Sequence, residues 1–301
     1  VVPAELGAEV ALEVQAELGE GPVWDERAGE LLFVDIEGFR VHGFQPDTGV
    51  HRFFDCGRSV GAVVLREDGG LVIAARDLFL LADHDGRNLE RFGSFEVGDE
   101  RVRFNDGKVD PSGRFYAGTM HWEQQDACGN LYLLEGDGSV RVAVEGVTIS
   151  NGLAWTPDGR TLYYIDTPTH AVDAFDVDPE TGAVSNRRTI AEVPEGSPDG
   201  MAIDDEGMLW VAVWGGYRVD RIDPSSGKVI GAVRIPARQV SSVCFGGPAL
   251  DRLFITTAWT GLDPATIAAE PHGGDVFVAE PGVTGPPSTR FRLASGVAHA
   301  G

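Results

Sequence analysis

Glu20, Asn105, Asn151 and Asp199 stand in the short strings "GEGP", "RFND", "SNGL" and "PDGM", each five residues ahead of the first residue of a turn, at Asp25, Asp110, Thr156 and Asp204. The common offset gives four separate stretches of chain an oxygen-bearing side chain at one equivalent position. Two carboxylates and two amides, with no Lys or Arg among them, form a cation-like selection, because carboxylates brought to one level repel each other unless something positive lies between them. Oxygen donors without His or Cys favour Ca²⁺, Mg²⁺ or Mn²⁺, although Zn²⁺ and Fe²⁺ also accept carboxylates. Three protein ligands would leave positions open to water or substrate, as a catalytic ion requires. Read singly, the same residues are polar groups at the wet mouths of apolar strands.

What would bring them together is a repeat. Six stretches share one layout: "EGPVWDERAGELLFVDIEGFRVHGFQPDTG", "VGAVVLREDGGLVIAARDLFLLADHDG", "NDGKVDPSGRFYAGTM" with "GNLYLLEGDG", "NGLAWTPDGRTLYYIDTPTHAVDAFDVDPETG", "DGMAIDDEGMLWVAVWGGYRVDRIDPSSG" and "SSVCFGGPALDRLFITTA" with "GGDVFVAE". Each holds short apolar strands separated by turns, and the turns close on Gly29, Gly69, Gly113, Gly159 and Gly207, with "GPALD" standing in for the last. A spacing of about 40 to 48 residues is what four antiparallel strands need, and no such sheet buries both faces alone. The spacing predicts an all-β fold: one domain over 1–301, a six-bladed β-propeller of four-stranded antiparallel blades. Residues 9–18, "EVALEVQAEL", alternate Val10, Leu12, Val14, Ala16 and Leu18 on one face and read as an N-terminal strand that joins the last blade and closes the ring. The four polar residues would then face one channel, with the small Gly61 and Ser242 of repeats two and six leaving room.

Composition narrows the partners. With 47 acidic against 24 basic residues and a net charge of −23, the surface repels phosphate backbones and anionic lipid, which argues against nucleic-acid and membrane roles. Three cysteines, Cys56, Cys128 and Cys244, lack C-x-x-C spacing and fit a reducing cytosol. No basic and apolar leader opens the chain, so a cytoplasmic location is expected; the first residue is not Met, which leaves a removed leader open. Monomer and dimer are equally compatible with the sequence. "GRSVG", Gly57 to Gly61, matches a serine-hydrolase pattern, but "AVVL" follows where that pattern needs a helix. The acidic turns "DVDPETG" and "RIDPSSG" lack the calcium-loop pattern and read as plain turns.

From "LGEGPVWD" through "VRFNDGKVDPSGRFYAGTM", "SNGLAWTPDGRTLYYIDT" and "PDGMAIDDEGMLWVAVWGG" to "CFGGPALDRLFITTA", the chain resembles the regucalcin and gluconolactonase family of metal-dependent sugar lactonases. The resemblance implies one divalent ion, Ca²⁺ first, held by Glu20, Asn151 and Asp199. It implies Arg103 and Asn105 as substrate-binding residues, with Asn105 near enough to the metal to contact it directly or through water, and Glu123 as a further substrate contact. It also implies a sugar lactone (glucono-, xylono-, arabinono- or galactonolactone) as substrate; Asp199, as a ligand beside the attacking water, is then the candidate general base. "GTMHWEQQ" departs from the regucalcin pattern at His121 and Trp122, where small or acidic residues are usual, and an aromatic there could stack on a sugar. The rival expectations are a calcium-binding regulatory propeller without catalysis and a related metal-dependent esterase or phosphotriesterase.

Overall fold

In the computed structural model, which describes residues 4–296, each repeat folds as a blade. Blade one is Gly19–Asp25, Glu30–Asp35, Arg40–Gln45 and Val50–Asp55. Blades two, three and four begin at Val60–Leu65, Val102–Val109 and Ser150–Trp155 and are likewise four-stranded and antiparallel. Blades five and six begin at Ser197–Ile203 and Gln239–Gly246 and are joined into one nine-stranded sheet by a bridge between Trp214 and Gln239. The repeated turns are built by their own side chains. Asp25, Asp110 and Asp204 accept hydrogen bonds from backbone N–H groups two residues on, and Gly29, Gly69, Gly113, Gly159 and Gly207 all have positive φ, so these carboxylates and glycines are spent on turn geometry.

The apolar residues form six clusters, each between two adjacent blades. Leu32 and Val34 of blade one meet Val63 and Ile73 of blade two, and the series runs around the ring until Trp24, Leu31 and Phe33 of blade one meet Cys244, Phe254 and Val276 of blade six. Burial of both sheet faces is therefore completed only by closing the circle.

Closure uses three segments. Glu9–Leu12 pairs antiparallel with Val276–Ala279 of blade six, as the alternating pattern predicts. The strand is shorter than residues 9–18: its register shifts between Val10 and Leu12, Val14 and Gln15 turn their N–H groups to the Asp275 carboxylate, and Gln15 has φ of 51°. Val10 consequently packs between blades five and six while Leu12 and Val14 pack between blades six and one, so the five alternating residues do not share one face. Ala4–Gly7 adds a parallel fifth strand to blade five, and residues 284–294 run beneath the turn side of the ring, bonding Leu250, Leu65, Gly113 and Gly136 in succession. Neither has a periodic signal in the sequence. The outermost residues of the expected domain, 1–3 and 297–301, lie outside the described residues.

Candidate metal centre and substrate pocket

Every innermost strand breaks register at the same level. The shifts fall at Glu20/Val23, Val60/Ala62, Phe104/Gly107, Asn151/Leu153, Pro198/Met201 and Val240/Ser242. A bulge inserts an extra residue and re-aims its side chain. The four polar residues sit on these bulges and are all buried. Glycines bring the neighbouring strands close: a Cβ on Gly61 would lie 2.5 Å from the Phe104 carbonyl carbon, and one on Gly152 would lie 2.6 Å from the Asp199 carbonyl oxygen. Gly61 therefore does not widen the channel at the site; it lets blade two touch the backbone of blade three. Ser242 lines a cavity of about 340 Å³ at the turn end of the channel, and Ser241 donates to the Gly19 carbonyl, tying blade six to blade one.

Carboxylates at the ends of second strands hold the approaches. Asp35 accepts from the backbone N–H groups of Glu17 and Leu18, just ahead of Glu20. Asp166 does the same for Thr148 and Ile149, just ahead of Asn151. Glu20 and Asp199 thus arrive from blades one and five, close enough for each carboxyl to raise or lower the titration of the other. Asp199 Oδ1 is buried and has no hydrogen-bond partner, and among the described residues no Lys, Arg or His forms an ion pair with either carboxylate.

Beside them runs a directional chain of hydrogen bonds. Arg103 Nη1 donates to Asn105 Oδ1 at 2.7 Å and to the Phe104 carbonyl at 3.0 Å; Asn105 Nδ2 donates to Asn151 Oδ1 at 3.0 Å and to the Ser150 carbonyl. Asn105 therefore offers its oxygen to Arg103 and its NH₂ to Asn151, linking the arginine to the amide of blade four. Trp122 lies over the guanidinium, 5.0 Å from Cζ to the ring centroid. Glu123 is exposed on the following loop, apart from this cluster, with its backbone N–H donating to His121 Nδ1. Ser59 is buried in front of a strand, with no helix after it.

Asp106 and Lys108 were not singled out in the sequence. The bulge that turns Asn105 toward Arg103 sends Asp106 to the other side, into the wall of the turn-end cavity with Lys108, whose ammonium donates to the Met201 carbonyl. Burial raises the carboxyl of Asp106 and lowers the ammonium of Lys108. The signal that could have found Asp106 is "NDGK" itself, polar residues side by side in a strand otherwise apolar.

Burial, with like-charge repulsion from Asp106, pushes the Glu20 carboxyl up to about 8. Asp199 is raised well above the carboxylate range by burial and by Glu20, and Arg103 is lowered to about 10 by burial, which leaves it charged at neutral pH. Carboxyls raised in the folded state stabilise it fully below their unfolded values and lose that contribution as pH rises, at an upper limit of about 1.4 kcal/mol per pH unit per group. The expected result is that chelator-treated protein loses melting temperature between about pH 5 and pH 8, whereas protein saturated with a divalent ion does not. A melting series in both states checks this; parallel curves would contradict it.

The donor set fits a hard divalent ion: two buried carboxylates without an ion-pair partner, one oxygen with no hydrogen bond, and the Asn151 amide at the same level of the inner-strand bulges. Among the described residues no group of three His, Cys, Asp or Glu side chains is arranged for a metal, which agrees with a set of two carboxylates and one amide. Fold and site together define a six-bladed propeller with an acidic site on its axis. Residues 18–259 match the family described as SMP-30/Gluconolactonase/LRE-like region, and the chain belongs to that family. Regucalcin of Danio rerio is 43% identical over 292 residues, covering 94% of this chain and 98% of that protein. The structure of a calcium-binding protein, regucalcin, from Agrobacterium tumefaciens superposes with a TM-score of 0.92 at 28% identity, covering 96% and 99% of the two chains. A gluconolactonase from Xanthomonas campestris superposes with a TM-score of 0.73 at 27% identity, covering 89% and 87%.

Proposed function

We propose that the protein is a metal-dependent lactonase that opens a sugar lactone to its aldonic acid, with Glu20, Asn151 and Asp199 as ligands. The observation that carries this reading is the unpartnered, buried Asp199 oxygen beside a second carboxylate. Family membership supports hydrolase chemistry in general, and the Agrobacterium relative, described as calcium-binding, supports Ca²⁺ as the first ion to try. When bound, the divalent ion would supply Lewis-acid stabilisation of negative charge developing on the lactone carbonyl.

The chain's own residues do the rest. Asp199 accepts the proton of a water as its oxygen attacks the carbonyl carbon. The ring C–O bond then breaks, its electrons remain on the departing oxygen, and that oxygen takes the proton back from Asp199, leaving a hydroxy acid and a deprotonated Asp199. Arg103, held by Asn105 and the Phe104 carbonyl, has a buried Nε–H without a partner and is the group to donate to a lactone oxygen or hydroxyl. Its planar fork is pre-oriented, so little freedom remains to be lost on binding. Glu123 could reach a substrate hydroxyl from the loop at the rim. The substrate is a small molecule; nucleic acid and membrane are not expected partners, and the proposed location is the cytoplasm.

The test is proton release on a panel of five- and six-membered aldonolactones beside an aryl ester and a phosphotriester, using protein reloaded with Ca²⁺, Zn²⁺, Mn²⁺ or Mg²⁺. Preference for a polyhydroxylated lactone supports the reading; preference for the aryl ester or phosphotriester shifts the bond cleaved; turnover of none, with an ion bound, leaves a binding protein.

Trp122 adds a substrate prediction. Its ring packs on Arg103 and remains 38% exposed, so one part braces the guanidinium and another is free to meet the C–H face of a sugar. Trp122→Ala is expected to raise KM for polyhydroxylated lactones about five- to tenfold, the equivalent of one aromatic–cation contact, with kcat within about twofold. An unhydroxylated lactone serves as the control, with a smaller change in KM. Equal losses on both would remove the stacking role.

A further inference from the structure

We infer that Thr167 is a positioning residue that dictates which end of the Asn151 amide faces the channel. The inference rests on the reading of Asn151 as an oxygen ligand and extends it to a residue outside the ligand set. Thr167 follows the second strand of blade four and opens a single 3₁₀ turn, Thr167–Thr169, with its N–H anchored on the Ile149 carbonyl. Its hydroxyl lies 2.9 Å from the Pro198 carbonyl oxygen and 2.7 Å from Asn151 Nδ2.

A hydroxyl has one proton, and a carbonyl oxygen can only accept. The Thr167 proton therefore goes to Pro198, and toward Asn151 the hydroxyl oxygen can only accept. The atom facing it must be the amide NH₂, which leaves Oδ1 on the channel side. The other end of the chain demands the same orientation. Arg103 can only donate, so it takes the oxygen of Asn105 and turns the Asn105 NH₂ onto Asn151 Oδ1. Donors then run in one direction, Arg103 to Asn105 to Asn151 to Thr167 to the Pro198 carbonyl, across blades three, four and five. The last acceptor belongs to the residue preceding Asp199, so Thr167 fixes an amide ligand and also grips the peptide that carries a carboxylate ligand.

Without the hydroxyl the NH₂ loses its acceptor and the Asn105 NH₂ alone holds the amide, so its orientation is less tightly set and its N–H groups gain access to the cation position. Outer groups of this kind are commonly worth 10- to 100-fold in metal affinity. Thr167→Val keeps the volume and removes donor and acceptor; Thr167→Ala is a second variant without the branched side chain, in case valine disturbs packing; Thr167→Ser restores the hydroxyl. Two measurements are needed: Ca²⁺ and Zn²⁺ affinity by calorimetry, and exchange protection of the Asn151 side-chain NH₂ by NMR in metal-free protein.

The expected result is a roughly 10- to 100-fold weaker affinity and loss of Asn151 protection in the Val and Ala variants, with the Ser variant within about threefold of wild type and protected. Retention of wild-type affinity or of Asn151 protection by the Val and Ala variants overturns the inference, as does a Ser variant that behaves like Val. Wild-type protein that takes up neither ion refutes the cation reading of Asn151, while the NH₂ measurement, made without metal, still decides the role of Thr167.

Discussion

Asp199→Asn is expected to lower kcat for lactone hydrolysis by about 10³-fold or more, the upper part of the range for loss of a general base. The substitution keeps size and shape but removes the negative charge and the proton-accepting capacity of an oxygen that has no partner within the protein. It also removes one of the buried carboxylates that repel one another at the site, a repulsion that a shared proton or a cation relieves. The metal-free variant should therefore be at least as stable as the metal-free parent, and it should bind the ion more weakly. A large activity loss together with unchanged or increased melting temperature separates a functional residue from a structural one. Activity within tenfold of wild type at saturating metal would take Asp199 out of the mechanism.

The second large effect is expected from a position with no chemistry. Gly152→Ala should cost about 1–3 kcal/mol of stability through overpacking and should also weaken metal binding. Its Cβ would lie 2.6 Å from the Asp199 carbonyl oxygen, 2.8 Å from Ile165 Cδ1 and 2.9 Å from Met201 Cβ. Backbone and two packed side chains all stand in the way, so the inner strands of blades four and five must move apart. Those strands carry Asn151 and Asp199. Denaturant unfolding with a calcium titration reads both effects, and Gly207→Ala serves as a contrast: it meets nothing within 4 Å, although its φ of +80° carries strain of its own. A Gly152→Ala protein that loses stability but binds calcium normally would mean that blade spacing does not set ligand spacing.

Much of this architecture was written locally. Turn glycines at regular spacing and alternating apolar strands specify a blade without help from the rest of the chain, and six repetitions specify the ring. The polar residues at the common offset were legible for the same reason, since blades are stacked in register about an axis. The bulges that aim them leave only a faint trace in the sequence: Glu20, Asn151 and Asp199 are each followed directly by glycine, and Asn105 by Asp106 and then Gly107. Glycine there marks close approach between strands and not merely a flexible point.

What local pattern could not carry were contacts between distant segments. Thr167 acts on Asn151 and on Pro198, 31 residues on, and a threonine at the end of a strand is unremarkable on its own. Residues 284–294 follow the ring's underside by backbone bonding to four different blades, which leaves no hydrophobic period to detect. The alternation over residues 9–18 continues in residue type past the end of the strand at Leu12, because Asp275 turns the backbone away at Val14 and Gln15. Glu123 lies on a loop that departs from the family pattern at His121 and Trp122 and is exposed at its place after the strand, where the repeat pattern carries no information.

The central claim is that Glu20, Asn151 and Asp199 hold one divalent ion on which lactone opening depends. The most direct test is the initial rate of aldonolactone hydrolysis as chelator-stripped protein is titrated with Ca²⁺, Zn²⁺ or Mn²⁺. The account predicts background hydrolysis before addition and a rise that saturates at one equivalent of the active ion. A full rate in the stripped protein, or a rise that no titrated ion produces, would contradict it.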